Sequence, residues 1–169
     1  MSFGKALGCG LPVAAFAGRA DVMSALAGGS VLHYGTHNAS RIGMFAARAN
    51  LRKLTRDGGS SFRNIWGLAD QLGSGITELF GRKGTAAIVQ RVGPMFQIMF
   101  TERKAIRDYR EFCQYVDRRK YQRFSWKLFE YGVYTSPAAT LHSIVTLAHS
   151  TSDVEKTLSA MEKALTALA

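Results

Sequence analysis

The sequence predicts a mixed α/β chain, and three observations carry that expectation. Apolar residues recur at helical spacing over 41–56, over 60–79 and again over 154–168. Around those stretches stand short apolar runs bounded by glycine or proline, which is the pattern of short strands. The balance is globular, with 47% hydrophobic, 20% charged and 11% aromatic residues over 169 positions, and 17 Gly against 3 Pro. Such a composition excludes collagen-like, disordered and disulfide-scaffold chains, and the length suffices to bury one core.

The elements follow in order. Residues 1–20 hold Gly4, Gly8, Gly10, Pro12 and Gly18 among small apolar side chains, so tight turns and close backbone approaches are expected. Within them, Leu11–Phe16 reads as a short buried strand. Asp21–Ala27 reads as one or two helical turns stopped by Gly28 and Gly29. A polar loop runs from Val31 to Ser40, and Ser40 is placed to cap the helix that follows. In that helix, 41–56, Ile42, Phe45, Ala46 and Ala49 share one face, while Arg48, Arg52, Lys53 and Arg56 line another. Gly58 and Gly59 end it. A second helix from Ser60 or Ser61 carries Phe62, Ile65, Trp66, Ala69, Leu72, Ile76 and Leu79, and Gly81 and Gly84 close it.

Two strands are expected at Ala86–Val89 and Met95–Thr101, joined through Gly93-Pro94. A helix from about Gln122 to Tyr131 carries Phe124, Leu128 and Phe129, and further strands are read at Val133–Thr135 and Ser143–Ala148. The last helix opens on a capping box, Ser152-Asp153-Val154-Glu155, and shows Val154, Leu158, Met161, Leu165 and Leu168 on one face. The first 40 residues lack the strands a sheet would need, and they read like the interior of a larger domain.

Charge and cysteine content narrow the function classes. The net charge is +10, and 102–123 alone holds eight basic and four acidic residues, interleaved with Tyr109, Phe112, Tyr115 and Tyr121. This balance permits anionic ligands without choosing among them. The basic stretch matches no nucleic-acid motif and reads as a solvated, partly helical face, so no nucleic-acid partner is expected. Cys9 and Cys113 form no CxxC, and His37, His142 and His149 fit no ligand spacing, so no metal site is expected. Gly4, Gly8, Gly10 and Pro12 break up any secretory h-region, and no apolar run spans a bilayer. A cytoplasmic location without membrane contact follows as an expectation.

Lys5 stands between Gly4 and a Gly8–Gly10 turn. It reads either as a solvated lysine or as one delivered into a partly desolvated cleft, where its amine could react with a carbonyl. The run Gly4-Lys5-Ala6-Leu7-Gly8-Cys9-Gly10-Leu11-Pro12-Val13, continued to Gly18-Arg19, resembles the cofactor-lysine segment of the class III (fold-type I) aminotransferases. Within that family it is most similar to the glutamate-1-semialdehyde 2,1-aminomutase branch. Four further blocks stand in the family's order: Tyr34-Gly35-Thr36-His37-Asn38-Ala39-Ser40, Gly93-Pro94-Met95-Phe96, Tyr131-Gly132-Val133-Tyr134-Thr135-Ser136-Pro137, and Ala148-His149-Ser150-Thr151-Ser152-Asp153.

The resemblance implies the end of a fold-type I large domain over 1–45, connecting helices over 46–84, and a small C-terminal α/β domain over 85–169 with a short sheet covered by helices. It implies pyridoxal 5′-phosphate as cofactor and Lys5 as the lysine that forms an aldimine with it, then moves the proton in amino-group transfer. Thr36, with Gly35 beside it, takes the position of a threonine that contacts the cofactor phosphate of a neighbouring subunit, which implies a homodimer. The substrate class implied is an amino acid or amino aldehyde. Two positions depart from the aminomutase pattern: Leu141 stands where that branch has a glutamate, and Ala39-Ser40-Arg41 replaces Gly-Asn-Pro. A transaminase with another amino donor fits the residues as well.

The family's phosphate loop, ring-stacking aromatic and pyridinium-pairing aspartate lie upstream of its lysine. The expectation is therefore a C-terminal portion that needs an upstream half and is inactive alone. The alternative is a catalytically inactive fragment, or a structural or interaction module with a basic surface.

Overall fold

The computed structural model describes residues 1–168, which form two compact units, one over Met1–Ser61 and the other from Phe62 onward. In the first unit, β1 (Ser2–Phe3) pairs antiparallel with β2 (Ala15–Phe16), and a 3-10 turn, Lys5–Gly8, lies between them. Helix α1 spans Ala20–Ala27 and stops at Gly28 and Gly29, where φ reaches +75° at Gly29. Helix α2 spans Arg41–Thr55 and packs against the lysine turn.

This unit has almost no core. Ala47 is the one buried hydrophobic side chain among residues 1–61, and Leu11, Phe16, Val31, Leu32, Ile42 and Phe45 are exposed. Two expectations are corrected here. Leu11–Phe16 is not a buried strand: only Ala15–Phe16 pairs, both residues are exposed, and a two-residue ladder has no second layer to bury them. The face of α2 that packs is also not the one with the large apolar residues, since Gly43 and Ala47 are buried while Ile42 and Phe45 are exposed. Ser40 does precede α2, but its side chain makes no capping hydrogen bond.

The second unit holds a three-stranded antiparallel sheet in the order β3 (Ala87–Val92), β4 (Met95–Phe100), β5 (Ser143–Ile144). The β3–β4 hairpin turns at Gly93, whose φ of +53° suits glycine, and the Trp66 ring lies against it. Strand β4 is central and mostly buried. Helices α3 (Ser60–Arg82), α5 (Arg118–Glu130) and α6 (Thr151–Thr166) supply Ile76, Leu79, Phe124, Leu128 and Met161 to its core, each at most 2% exposed. Phe100 of β4 sits between Phe80 and Phe124, with ring centroids 6.1 and 5.4 Å away. At Gly75 an added methyl would lie 2.6 Å from Leu158 Cδ1, so a glycine lets α6 approach α3 this closely.

Four further expectations change. Helix α5 begins at Arg118 rather than near Gln122, because Asp117 accepts a hydrogen bond from Lys120 N at 2.8 Å and caps it inside the charged stretch. Val133–Thr135 forms no strand: β4 pairs Met95 and Phe96 with Ile144 and Ser143, so the later run takes that edge. Only Ser143–Ile144 of the expected 143–148 strand is extended in the sheet. The last helix is capped two residues earlier, by Ser150 with Asp153. Ser150 N donates to Asp153 Oδ2 at 2.8 Å, and Asp153 N donates to Ser150 Oγ at 3.4 Å. The basic stretch contains α4 (Tyr109–Tyr115), capped by Asp108, which accepts from Glu111 N at 2.8 Å. No helix among the described residues is long and apolar enough to cross a membrane.

Candidate functional site

Lys5 opens the 3-10 turn with a φ of +51°, in the left-handed region that favours glycine. Cys9 closes the turn in the same region, at +48°. Backbone hydrogen bonds hold the loop at three places: Leu7 N donates to Gly4 O at 3.0 Å, Cys9 N to Ala6 O at 3.2 Å, and Leu11 N to Gly8 O at 3.0 Å. Gly8 is buried, and a methyl on it would fall 2.6 Å from Val13 Cγ1. The glycine is therefore what allows the chain to fold back on itself. Lys5 is exposed, and its ammonium group has no hydrogen-bond or ion-pair partner among the described residues.

Gly35 and Thr36 lie at the start of a turn in which Asn38 N donates to Gly35 O at 3.0 Å. A side chain on Gly35 would meet Asn38 Oδ1 at 3.1 Å, so the glycine leaves room for Asn38 to fold over the turn. Thr36 is exposed. No hydrogen bond or ion pair among the described residues joins Lys5 to Gly35 or Thr36. Helix α2 is what ties the two segments: it starts directly after the Thr36 loop, and its Asn50 Nδ2 donates to Ala6 O at 2.7 Å and Leu7 O at 3.3 Å. Sequence reasoning missed Asn50. The one available signal was a lone amide on the helix face otherwise occupied by Gly43 and Ala47.

The remaining sequence candidates have local roles. His37 lines a cavity of about 570 Å³ in the first unit together with His33, whose ring lies edge-on to Phe16 at 4.9 Å. In the second unit His142 and His149 line a cavity of about 250 Å³. His149 Nδ1 accepts from Thr146 N at 3.0 Å, which places the imidazole proton on Nε2 and closes the turn ahead of α6. Leu141 is exposed on the loop before β5. Of the four acids in the basic stretch, Asp108 and Asp117 cap helices, and Glu111 accepts from Arg107 N at 2.9 Å. Hydrogen bonds from Ser150 hold the Asp153 carboxyl below its ordinary value of 3.8.

The comparisons with known proteins bear on this lysine turn and on everything after it. The family model described as "Aminotransferase class-III" matches residues 1–165. The chain belongs to the class-III aminotransferase family. Its resemblance to that family is thereby borne out, and the family's cofactor is pyridoxal 5′-phosphate. Among class-III relatives, the chain is 35% identical to the glutamate-1-semialdehyde 2,1-aminomutase of Pyrobaculum neutrophilum over 99% of its own length and 39% of that protein's. A solved ω-transaminase from Sphaerobacter thermophilus superposes with a TM-score of 0.82 at 27% identity, covering 99% of this chain and 38% of that one. A β-phenylalanine aminotransferase from Variovorax paradoxus superposes with a TM-score of 0.80 at 25% identity, covering 98% and 38%. The chain thus spans about two fifths of the length of the class-III proteins it matches. The mixed α/β architecture agrees with the fold-type I expectation.

The residues present suit this cofactor. Pyridoxal 5′-phosphate offers an aldehyde and a phosphate. An exposed primary amine without an ion-pair partner, on backbone fixed by three hydrogen bonds, is a group that can meet the first. The exposed Thr36 hydroxyl is a donor that can meet the second.

Proposed function

We propose that this chain is the C-terminal portion of a pyridoxal-phosphate enzyme that transfers an amino group, with Lys5 as its cofactor lysine and Thr36, beside Gly35, as a phosphate contact. The observation that carries the reading is the free amine of Lys5 on its hydrogen-bonded, left-handed turn, set in a chain whose class-III match runs almost end to end. When bound, the cofactor supplies an electron sink that makes the carbon bearing the substrate's amine acidic. Lys5 Nζ then holds the proton taken from that carbon and delivers it to the acceptor position, as general base and general acid in turn. Thr36 Oγ1 donates to a phosphate oxygen of the cofactor held by a neighbouring subunit and so fixes one end of it.

The first unit supports a partner. Its exposed Phe3, Leu11, Phe16, Ile42 and Phe45 are apolar surface that a further polypeptide would cover, either a second copy or a chain bearing the rest of the cofactor domain. The residue boundaries we assign are 1–45 for the end of the large domain, 46–84 for the connection and 85–169 for the small domain. Cys9 and Cys113 are both free and exposed, which suits a reducing compartment such as the cytoplasm. For the substrate we favour an amino donor other than glutamate-1-semialdehyde, because apolar Leu141 occupies the position of a carboxylate in the aminomutase branch.

The test is chemical. The chain, together with a polypeptide supplying the upstream half, is incubated with substoichiometric pyridoxal 5′-phosphate, reduced with borohydride and mapped by peptide mass spectrometry. The label should concentrate on Lys5 among the lysines. A label spread evenly, or concentrated on another lysine, refutes the assignment.

A further inference from the structure

Helix α2 meets the lysine turn along a single stripe. Gly43, Ala47 and Asn50 stand at i, i+4 and i+7 and so share one side of the helix. Gly43 and Ala47 are buried, and Asn50 is half-buried. At Gly43 a methyl group would lie 3.2 Å from Val13 Cβ and 3.3 Å from Pro12 O, so the helix backbone rests on the segment that follows the turn. Two helical turns further on, the Asn50 carboxamide reaches Ala6 O at 2.7 Å and Leu7 O at 3.3 Å, across 44 and 43 positions of sequence. Those carbonyls belong to the two residues that follow Lys5.

A residue other than glycine held at positive φ persists only where its surroundings impose the conformation. Lys5 and Cys9 are both in that state, four residues apart. The turn's own backbone bonds close it but do not anchor it to anything else. The Asn50 amide does, because it binds two of the turn's carbonyls from a rigid helix. An apolar side chain of the same size could fill this place on the stripe, but it would leave Leu7 O without that donor and Ala6 O with only the local bonds from Cys9 N and Cys9 Sγ, both from within the turn.

We propose that Asn50 is a positioning residue for Lys5: its carboxamide fixes the strained turn from which the lysine amine reacts. The inference rests on the reading of Lys5 as the cofactor lysine. Because α2 also begins where the Gly35–Thr36 loop ends, the same helix carries the register of both segments.

The experiment compares the unaltered 169-residue chain with Asn50→Leu, Asn50→Asp and Asn50→Gln, each combined with the same polypeptide supplying the upstream half. Borohydride trapping with pyridoxal 5′-phosphate is quantified at Lys5 relative to Lys104, an exposed lysine of the second unit. Hydrogen exchange is followed at the Leu7, Cys9 and Leu11 amides, which close the turn, and at Met44, which bonds to Ser40 O at the start of α2. The Leu and Asp variants should lower trapping at Lys5 about fivefold and speed exchange of the three turn amides, the worth of a lost hydrogen bond. Met44 should be unchanged, and Asn50→Gln, which keeps the donor, should recover at least half of the trapping. Should Asn50→Leu lose protection at Met44, the isosteric Asn50→Asp carries the comparison. Equal trapping in all four chains overturns this inference alone. Equal loss in the Gln and Leu variants overturns it too, since steric fit rather than the amide would then be at work. An unaltered chain that shows no preference for Lys5 overturns the cofactor reading and this inference with it.

Discussion

Replacing Phe124 by alanine should remove a large share of the stability of the second unit. The side chain is 0% exposed, and its ring meets Phe100 edge-on, 5.4 Å between centroids at 75°. Truncating a buried phenylalanine costs about 3–5 kcal/mol, of which the ring pair contributes about 0.5–1.5. A unit of this length has roughly 5–16 kcal/mol to lose. The expected fall in midpoint is roughly 12–30 °C at about 4–6 °C per kcal/mol. Thermal melts read by near-ultraviolet circular dichroism measure it, with Trp126→Ala as the control. Trp126 lies on the same helix but is 56% exposed, so its loss should cost far less. A fall for Phe124→Ala below about 5 °C, or one equal to the control's, would refute the view that the Phe80–Phe100–Phe124 stack is the keystone of this core.

Other outcomes follow from features described above. Ser150→Ala should destabilise the start of α6 by about 1 kcal/mol, seen as faster amide exchange over 151–154. The capping carboxylate of Asp153 has a lowered pKa, so its contribution is complete above the ordinary 3.8 and is lost as pH falls through the lowered value. The acid-induced fraying of α6 should therefore vanish in Asp153→Asn, and persistence of the same acid limb would count against the box. In the assembled enzyme, Thr36→Ala should weaken cofactor affinity by about 1.5–3 kcal/mol, the worth of a charge-assisted hydrogen bond, in an equilibrium titration. Glutamate-1-semialdehyde should be a poor substrate for that enzyme and a better one after Leu141→Glu; efficient turnover without the change would contradict our reading of the loop.

Long regular elements were legible because their periodicity is set by burial in the second unit: α3 and the β3–β4 hairpin stand close to where apolar spacing and Gly93 put them. Caps were harder to read. Ser150-Thr151-Ser152-Asp153 offers two overlapping frames, and only the hydrogen bonds of Asp153 choose the first. The start of α5 was hidden because Asp117 looks like one more charge in a charged run until its hydrogen bond to Lys120 N is seen. Leu11–Phe16 misled because apolar composition implies burial only where another layer exists. Of the candidate site, Lys5 stood out through its glycines and their likeness to a family segment, whereas Asn50 has no local signature. Its meaning lies in two carbonyls more than forty residues away.

Both tryptophans, Trp66 beside the Gly93 turn and Trp126 on α5, belong to the second unit, whereas Lys5 belongs to the first. Light absorbed by the indoles is therefore emitted from one unit only, and the lysine turn is optically silent at those wavelengths. A pyridoxyl group reduced onto Lys5 absorbs in the region where indole emits. The labelled chain becomes a donor–acceptor pair with fixed attachment points, and quenching of its ultraviolet emission reports the separation of the two units in solution without any added dye.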